Sequence, residues 1–150
     1  MNDREQATGI RPVSASGEAA ALLDKCGLPV ADLQSCESLR LFGAFEGTSL
    51  VGVIGLELFH GVALLRSLAV VPERRNSGLG KTLVVFAEKH AASQAIEAIY
   101  LLTTTAAPFF VTRGYTVAAR QEAPGPIRAT AQFSSLCPAS STFMVKRLDT

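Results

Sequence analysis

Apolar positions along the chain change their spacing from stretch to stretch, and each change predicts an element. Two dense apolar runs, "LRLFGAFEG" and "SLVGVIGLELF", are joined by a turn near Gly47 and read as strands. A third run, "VALLRSLAVV", follows His60-Gly61, and an X-Gly pair between two β-rich runs predicts a tight hairpin. With His60 and Gly61 as the loop, Phe59 faces Val62, Glu57 faces Leu64 and Gly55 faces Arg66. Side chains alternate between faces of a strand, so Glu57 and Arg66 fall on one face as diagonal neighbours. Both faces of this hairpin are largely apolar, which predicts a sheet covered on both sides.

Elsewhere the period is helical. Leu79, Leu83, Phe86, Ala87 and Ala91 recur at the spacing of one helix face. Near the start, "GIRPVSAS" predicts a short strand ending at Ser16. Ser16 then N-caps a helix over "GEAAALLDKCGL" that Gly27 ends, and Pro29 opens a second short helix. Further on come a strand at "EAIYLLTTT", a short helix at "AAPFFVTRG" stopped by Gly114, and strands at "YTVAAR" and "TFMVKRL". Between the last two lies a long loop, "QEAPGPIRATAQFSSLCPASS", of the kind that often carries function. The order predicts a mixed α/β domain.

Composition narrows the class. At 150 residues, one domain with a sizeable core is expected. Almost half the residues are apolar and the net charge is only +1, with no basic tail or stripe, which argues against a nucleic-acid partner. No apolar run is long enough to span a bilayer, so no membrane partner is expected. The opening "MNDREQATG" has no secretory pattern, which predicts a cytoplasmic protein. Cys26, Cys36 and Cys137 are odd in number and lack CxxC spacing, so reduced thiols are the simplest reading. No His/Cys/Asp/Glu cluster falls at ligand spacing, and no metal is expected. His60 reads as a turn residue and His90 as an exposed helix residue.

The most informative stretch is "VVPERRNSGLGKTLVVFAEKHA". A glycine turn between a strand and a helix start is an anion site, because the first helical amides lack intrahelical partners and the helix dipole is positive there. Arg74, Arg75 and Lys81 add charge, so a phosphate or pyrophosphate is the expected ligand. "GKT" at Gly80 to Thr82 resembles the end of a P-loop, but Arg75 stands where that motif needs glycine. Gly78-Leu79-Gly80 begins a dinucleotide fingerprint, but Leu83 stands at its third glycine. What fits is R-x-x-G-x-G, from Arg75 to Gly80. This resembles the acetyl-CoA signature of the GNAT acetyltransferases, and "LLTTTAAPFFVTRGY" is similar to that family's second block.

The resemblance implies a single α/β domain spanning residues 1–150, with a central mixed, mostly antiparallel sheet of six to seven strands flanked by helices on both faces. It implies acetyl-CoA as cosubstrate, with the backbone of Leu68, Ala69 and Val70 along the pantetheine arm. Arg75 and the loop residues Asn76, Ser77, Gly78, Leu79, Gly80 and Lys81 would take the pyrophosphate, with Phe109 as a cofactor wall. An amine attacks the thioester directly, which requires removing a proton, holding an oxyanion and releasing a thiolate. Glu57 is the candidate general base. The chain departs from the family where a tyrosine usually serves as acid: that position is Phe110, and Tyr115 matches a packing aromatic. Cys137, the Ser134–Ser135 pair and Thr103 to Thr105 are alternative donors. Arg66 is the candidate clamp for a substrate anion and Arg128 a second, with Ser67, Thr103 and Thr130 adding hydrogen bonds.

The late segment "IRATAQFSSLCPASSTFMVK" resembles the small arsenic-resistance N-acetyltransferases, and is also similar to some bacterial glutamate N-acetyltransferases. The expected acceptor is therefore a small anionic amino-acid-like amine, with an arsenic- or phosphinate-containing amino acid or a glutamate-type metabolite as candidates. A non-catalytic acyl-CoA-binding or arsenic-sensing module, with the cysteines as a thiol site, is the alternative of another class. The family resemblance also implies a possible homodimer.

Overall fold

The computed structural model describes residues 8–136 and 140–148. Seven strands form one sheet: β1 (Thr8–Pro12), β2 (Leu39–Glu46), β3 (Ser49–Leu58), β4 (Val62–Val70), β5 (Ala98–Thr103), β6 (Thr116–Val117) and β7 (Thr142–Arg147). Their spatial order is β1-β2-β3-β4-β5-β7-β6, and every neighbouring pair is antiparallel except β4–β5. The helices are α1 (Glu18–Lys25), α2 (Leu79–Ser93), α3 (Ala107–Thr112) and α4 (Gly125–Arg128). This is the single-domain α/β architecture expected.

The β3–β4 hairpin has the register that the apolar alternation requires. Phe59 N–H donates to the Val62 carbonyl at 2.9 Å, Glu57 stands opposite Leu64, and Gly55 opposite Arg66. Alternation then sorts the core into two layers. Phe42, Ile54, Leu56 and Leu65 point toward α2, whose Leu79, Leu83, Val84, Ala87 and Ala91 are buried against them. Leu39, Leu41, Val53 and Ala69 point the other way, under Leu22 and Leu23 of α1. On that second side the late loop covers the far strands, where Ile127 of α4 packs with Leu64, Tyr100 and Phe143.

Several local expectations are corrected. Ser16 does not cap α1: the N-cap is Gly17, while the Ser16 hydroxyl is paired with Ser14 at 2.9 Å. Gly27 does end the helix, in a left-handed conformation with its N–H on the Asp24 carbonyl and that of Leu28 on the Leu23 carbonyl. The short helix expected from Pro29 does not form. Residues 31–35 are turns, closed by Leu33 N–H to the Val30 carbonyl and Cys36 N–H to the Asp32 carbonyl. This segment is shaped by burying Leu33 and bridging to β2, not by helical periodicity. The first strand stops at Pro12, and "YTVAAR" contributes only Thr116–Val117 before a turn at Arg120–Glu122. His90 is half-buried, its ring centroid 4.9 Å from that of Phe42 in an edge-on contact.

Between β4 and β5 only three residue pairs align: Val62 with Ala98, Ala63 with Ile99, and Leu64 with Tyr100. Beyond them the two parallel strands part. On the α2 side the parted sheet is tied together by Glu88, which accepts from the Tyr115 hydroxyl at 2.9 Å and from Lys146 Nζ at 3.1 and 3.2 Å. Lys146 also donates to the Arg113 carbonyl at 2.8 Å. Burial, and then the Glu88 carboxylate, push the Tyr115 phenol up, so it remains a protonated donor. Tyr115→Phe removes one charge-assisted bond from a fully packed site, and is expected to cost roughly 1.5–3 kcal/mol. Urea unfolding checks this: the midpoint should fall with the slope unchanged.

Candidate active site

A cavity of about 640 Å³ opens where β4 and β5 part. Leu65 to Val70 form one wall and Leu101 to Ala106 the other; Cys26 to Pro29, Arg75, Phe110, Gln132 and Leu136 complete it. A strand that loses its neighbour leaves a row of backbone N–H and C=O groups, which an extended ligand can pair with as an added strand. The structure thus places Leu68, Ala69 and Val70 on the cavity wall, with Thr103 facing them from β5.

β4 leads through a turn at Pro72–Arg74 into the glycine loop and then α2. Asn76 (φ 64°) and Gly78 (φ 90°) are both left-handed, and Gly78 is the N-cap of α2 with no side-chain cap bond. The first amides of this 15-residue helix, from Leu79 through Lys81, therefore lack helical and side-chain partners. Leu79 is buried, so only its backbone can serve a ligand, while Asn76, Ser77 and Lys81 are exposed. Gly78 needs glycine for its φ. Gly80 does not: a Cβ there would sit 3.6 Å from the Phe109 ring, an ordinary contact. The chain itself has no packing reason for glycine at 80, whereas a ligand drawn close to the backbone does. Phe109 lies beside this turn and outside the cavity wall, while Phe110 is on it.

The arginines divide. Arg74 Nε donates to Glu46 at 2.6 Å and a second bond joins Arg74 Nη2 to the same carboxylate, which holds the Glu46 carboxyl low. Arg74 therefore fastens the loop to β2. Arg75 is exposed; its Nε donates to the Val70 carbonyl at 3.2 Å and its Nη2 reaches Cys26 Sγ at 3.7 Å, at the edge of the cavity.

A second cavity, of about 380 Å³, lies between residues 32–38 and the late loop. Asp32, Ser35, Cys36, Ser38, Glu57, Phe59, Pro126, Ala129, Thr130 and Ala131 line it. Arg66, on the wall of the larger cavity, connects the two. Its Nη1 and Nη2 donate to the two oxygens of Asp32 at 2.6 and 2.8 Å, and Nη1 also donates to Glu57 Oε2 at 3.0 Å. The Arg66 side chain is 2% exposed and that of Glu57 3%. Burial alone would lower the Arg66 pKa, but the bonds and charges of Asp32 and Glu57 outweigh it and raise it, so the guanidinium stays charged. Nε donates to the Ser67 hydroxyl at 3.0 Å.

Arg66, expected as a substrate clamp, is bonded by the protein's own carboxylates. Arg128 is the second clamp expected. It is exposed, lines neither cavity, and donates to the carbonyls of Gln121 and Ala123 in its own loop. Thr130 lines the smaller cavity, but its hydroxyl is held between the Ile127 carbonyl and the Phe133 amide. Thr103 Oγ1 accepts from the Ala106 amide. Ser134 and Ser135 are exposed and outside both linings. Cys137 lies outside the described residues. Cys26 and Cys36 are free thiols that line different cavities.

Asp32 is the residue that sequence reasoning missed. It stands 34 positions from Arg66, in a segment without periodicity, and no local pattern marks it. One atom each of Asp32, Cys36 and Glu57 lie within 4.8 Å of one another, but a guanidinium already occupies both carboxylates. Burial pushes the Cys36 thiol up; the Ser38 bond opposes this, and the charges of Glu57 and Asp32 add to it. Cys36 is therefore expected to alkylate with iodoacetamide several-fold more slowly at pH 7.5 than a free cysteine, because the thiolate is the nucleophile. Glu57→Gln removes one of the repelling charges and should speed the reaction, as followed by peptide mass spectrometry.

A sequence model described as the acetyltransferase (GNAT) family matches residues 16–115. No curated protein matches the chain in sequence. Among solved structures, N-acetylglutamate synthase from Neisseria gonorrhoeae, complexed with coenzyme A and L-arginine, superposes with a TM-score of 0.78 at 22% identity. The match covers 95% of this chain but 34% of that one, so the chain spans about a third of that enzyme's length. Rv2747 from Mycobacterium tuberculosis, in complex with CoA, gives 0.76 at 17% identity over 94% of this chain and 99% of that one. An acetyltransferase from Streptococcus agalactiae gives 0.74 at 19% identity over 95% and 99%. At these identities the likeness is one of fold. The family match covers two thirds of the chain and takes in the parted strands, the glycine loop and Phe110, and by it the chain belongs to the acetyltransferase (GNAT) family.

Proposed function

We propose that this chain moves an acetyl group from acetyl-CoA to the amine of a small molecule. The observation that carries the reading is the parting of β4 from β5 directly before a glycine loop and an uncapped helix start. The pantetheine arm would lie along Leu68, Ala69 and Val70, and the pyrophosphate against the amides from Asn76 to Lys81, with Arg75 at the edge. Coenzyme A in the complexes of the N-acetylglutamate synthase and Rv2747 supports this arrangement.

The acceptor enters by the smaller cavity. Its lining residues include two carboxylates, several hydroxyls and no Lys, Arg or His. Asp32 and Glu57 against the single Arg66 leave a net charge of −1. Such a site favours an ammonium over a carboxylate. Glu57, buried on that wall, takes the proton as the amine attacks the thioester carbon. An amino-acid acceptor is the second reading, and the likeness to N-acetylglutamate synthase favours it. It requires a carboxylate to take Arg66 from Asp32. An arsenic- or phosphinate-containing amino acid is a special case that depends on the same exchange.

Release of free CoA over a panel of small amines tests the reading. Monoamines without a carboxylate should turn over with higher kcat/KM than glutamate or other anionic amino acids; the reverse order would favour the second reading. Glu57→Gln should lower kcat by roughly 10²–10⁴. Acetyl-CoA binding without turnover of any amine would restore the binding-module alternative. Gly80→Ala should keep the wild-type melting temperature and bind acetyl-CoA at least about tenfold more weakly, since its Cβ fits the fold but intrudes on the pyrophosphate. Calorimetric titration beside thermal melts separates the two effects.

A further inference from the structure

Ser67 is built into the larger cavity in a way that packing does not require. Its φ is 61°, one of three positive values among the described non-glycine residues. Such a conformation is rare for a side chain with a Cβ and costs about 1 kcal/mol or more. The cause is a β-bulge. Val53 stands opposite Ala69 and Gly55 opposite Arg66, so Ile54 alone faces both Ser67 and Leu68. Bulges interrupt the ladder and re-aim a side chain, often beside active sites. This one lies past the last β4–β5 pair, Leu64 with Tyr100, on the wall of the parted strands.

The Ser67 hydroxyl accepts from Arg66 Nε at 3.0 Å. A hydroxyl has one proton and two lone pairs, so this contact leaves the O–H free to donate, and a cation on its lone pair polarises it. Arg66 cannot turn away, since Asp32 and Glu57 hold its other nitrogens. On the same cavity wall, Phe110 stands at the position of the usual family acid and has no proton to give.

We propose that the Ser67 hydroxyl donates a hydrogen bond to the thioester carbonyl oxygen as that oxygen becomes an oxyanion. This rests on the acetyl-transfer reading above. The acceptor, which enters as an ammonium, first gives one proton to solvent. The free amine nitrogen then bonds to the carbonyl carbon, the carbonyl π pair moves to oxygen, and the proton on the now cationic nitrogen passes to Glu57. The oxyanion then collapses and the C–S bond breaks. CoA leaves as a thiolate, which a thiol of reference pKa about 8.5 permits near neutral pH. Ser67 keeps its proton throughout, so no acid at position 110 is needed.

Steady-state kinetics of Ser67→Ala and Ser67→Gly, on the best amine of the panel, test the assignment. Loss of an oxyanion donor should lower kcat in both variants by roughly a hundred- to a thousandfold, with KM for acetyl-CoA within about threefold of wild type. Thermal melts confirm folding, and glycine accepts the left-handed φ without strain. A kcat retained in Ser67→Gly and lost only in Ser67→Ala would assign Ser67 to the backbone bend and overturn the proposal. An effect confined to KM would overturn it as well. A wild-type protein that turns over no amine sinks the acetyl-transfer reading and this proposal together; an active wild type with equally active variants sinks this proposal alone.

Discussion

The structure turns on one buried cation. Arg66 sits inside an apolar strand, and an uncompensated guanidinium there would cost several kcal/mol in lost solvation. Two carboxylates offset that cost, one from the neighbouring strand and one from a segment 34 residues earlier in sequence. Removing either carboxylate leaves the other on the guanidinium; it is loss of Arg66 itself that strands buried charge, which typically costs about 3–5 kcal/mol. Asp32 is thereby fixed over the sheet, and with it the turns from 31 to 35 that have no helical hydrogen-bond ladder of their own. The position of that segment defines one side of the smaller cavity. A single ion cluster therefore joins the hairpin, the loop after α1 and the two cavities.

The second constraint falls on β4, which must serve two partners. Toward β3 it completes an antiparallel ladder with a register set by the His60-Gly61 turn. Toward β5 it pairs for only three residues and then stands free. The bulge at Ser67 and Leu68 lies on the free part, where extra twist does no harm to β5 pairing. The glycine loop follows the same strand after the Pro72–Arg74 turn, so the free backbone and the uncapped helix amides are close in sequence along one stretch of chain. α2 itself is held from behind by the Glu88 contacts to Tyr115 and Lys146, which leave its N-terminus to the ligand.

Much of this was legible in the sequence because the periodicities are strong. The apolar alternation of "SLVGVIGLELF" and "VALLRSLAVV" admits one register across His60-Gly61, and that register puts Glu57 and Arg66 together. The glycine loop was legible because R-x-x-G-x-G between strand and helix leaves few alternatives. The failures share a cause. Pro29 suggested a helix, but the segment is shaped by Leu33 and Asp32 meeting the sheet, a tertiary effect with no local pattern. The partners of Arg128 were equally hidden, because they are backbone carbonyls of its own loop, which no side-chain pattern marks. The bulge was invisible because nothing in "LRSLAV" distinguishes a strand that slips by one residue from one that does not.

The charge balance around Arg66 bears on chemistry as well as on folding. A lone guanidinium beside the site would attract anions; a guanidinium bound by two carboxylates presents one net negative charge to the smaller cavity. The same pairing holds the guanidinium so that its Nε–H points to the Ser67 hydroxyl in the larger cavity. Thus the two cavities see opposite ends of one cluster, and on the proposed reaction the carboxylate oxygens would stand where a cationic amine loses its proton and the polarised hydroxyl where the carbonyl gains charge. Catalysis rewards interactions that strengthen as charge moves. Here the direction of that movement, from amine nitrogen to carbonyl oxygen, matches the polarity of the cluster. On that proposal a phenylalanine at position 110 is compatible with turnover, because the charge would be stabilised where it first appears and not at the departing sulfur.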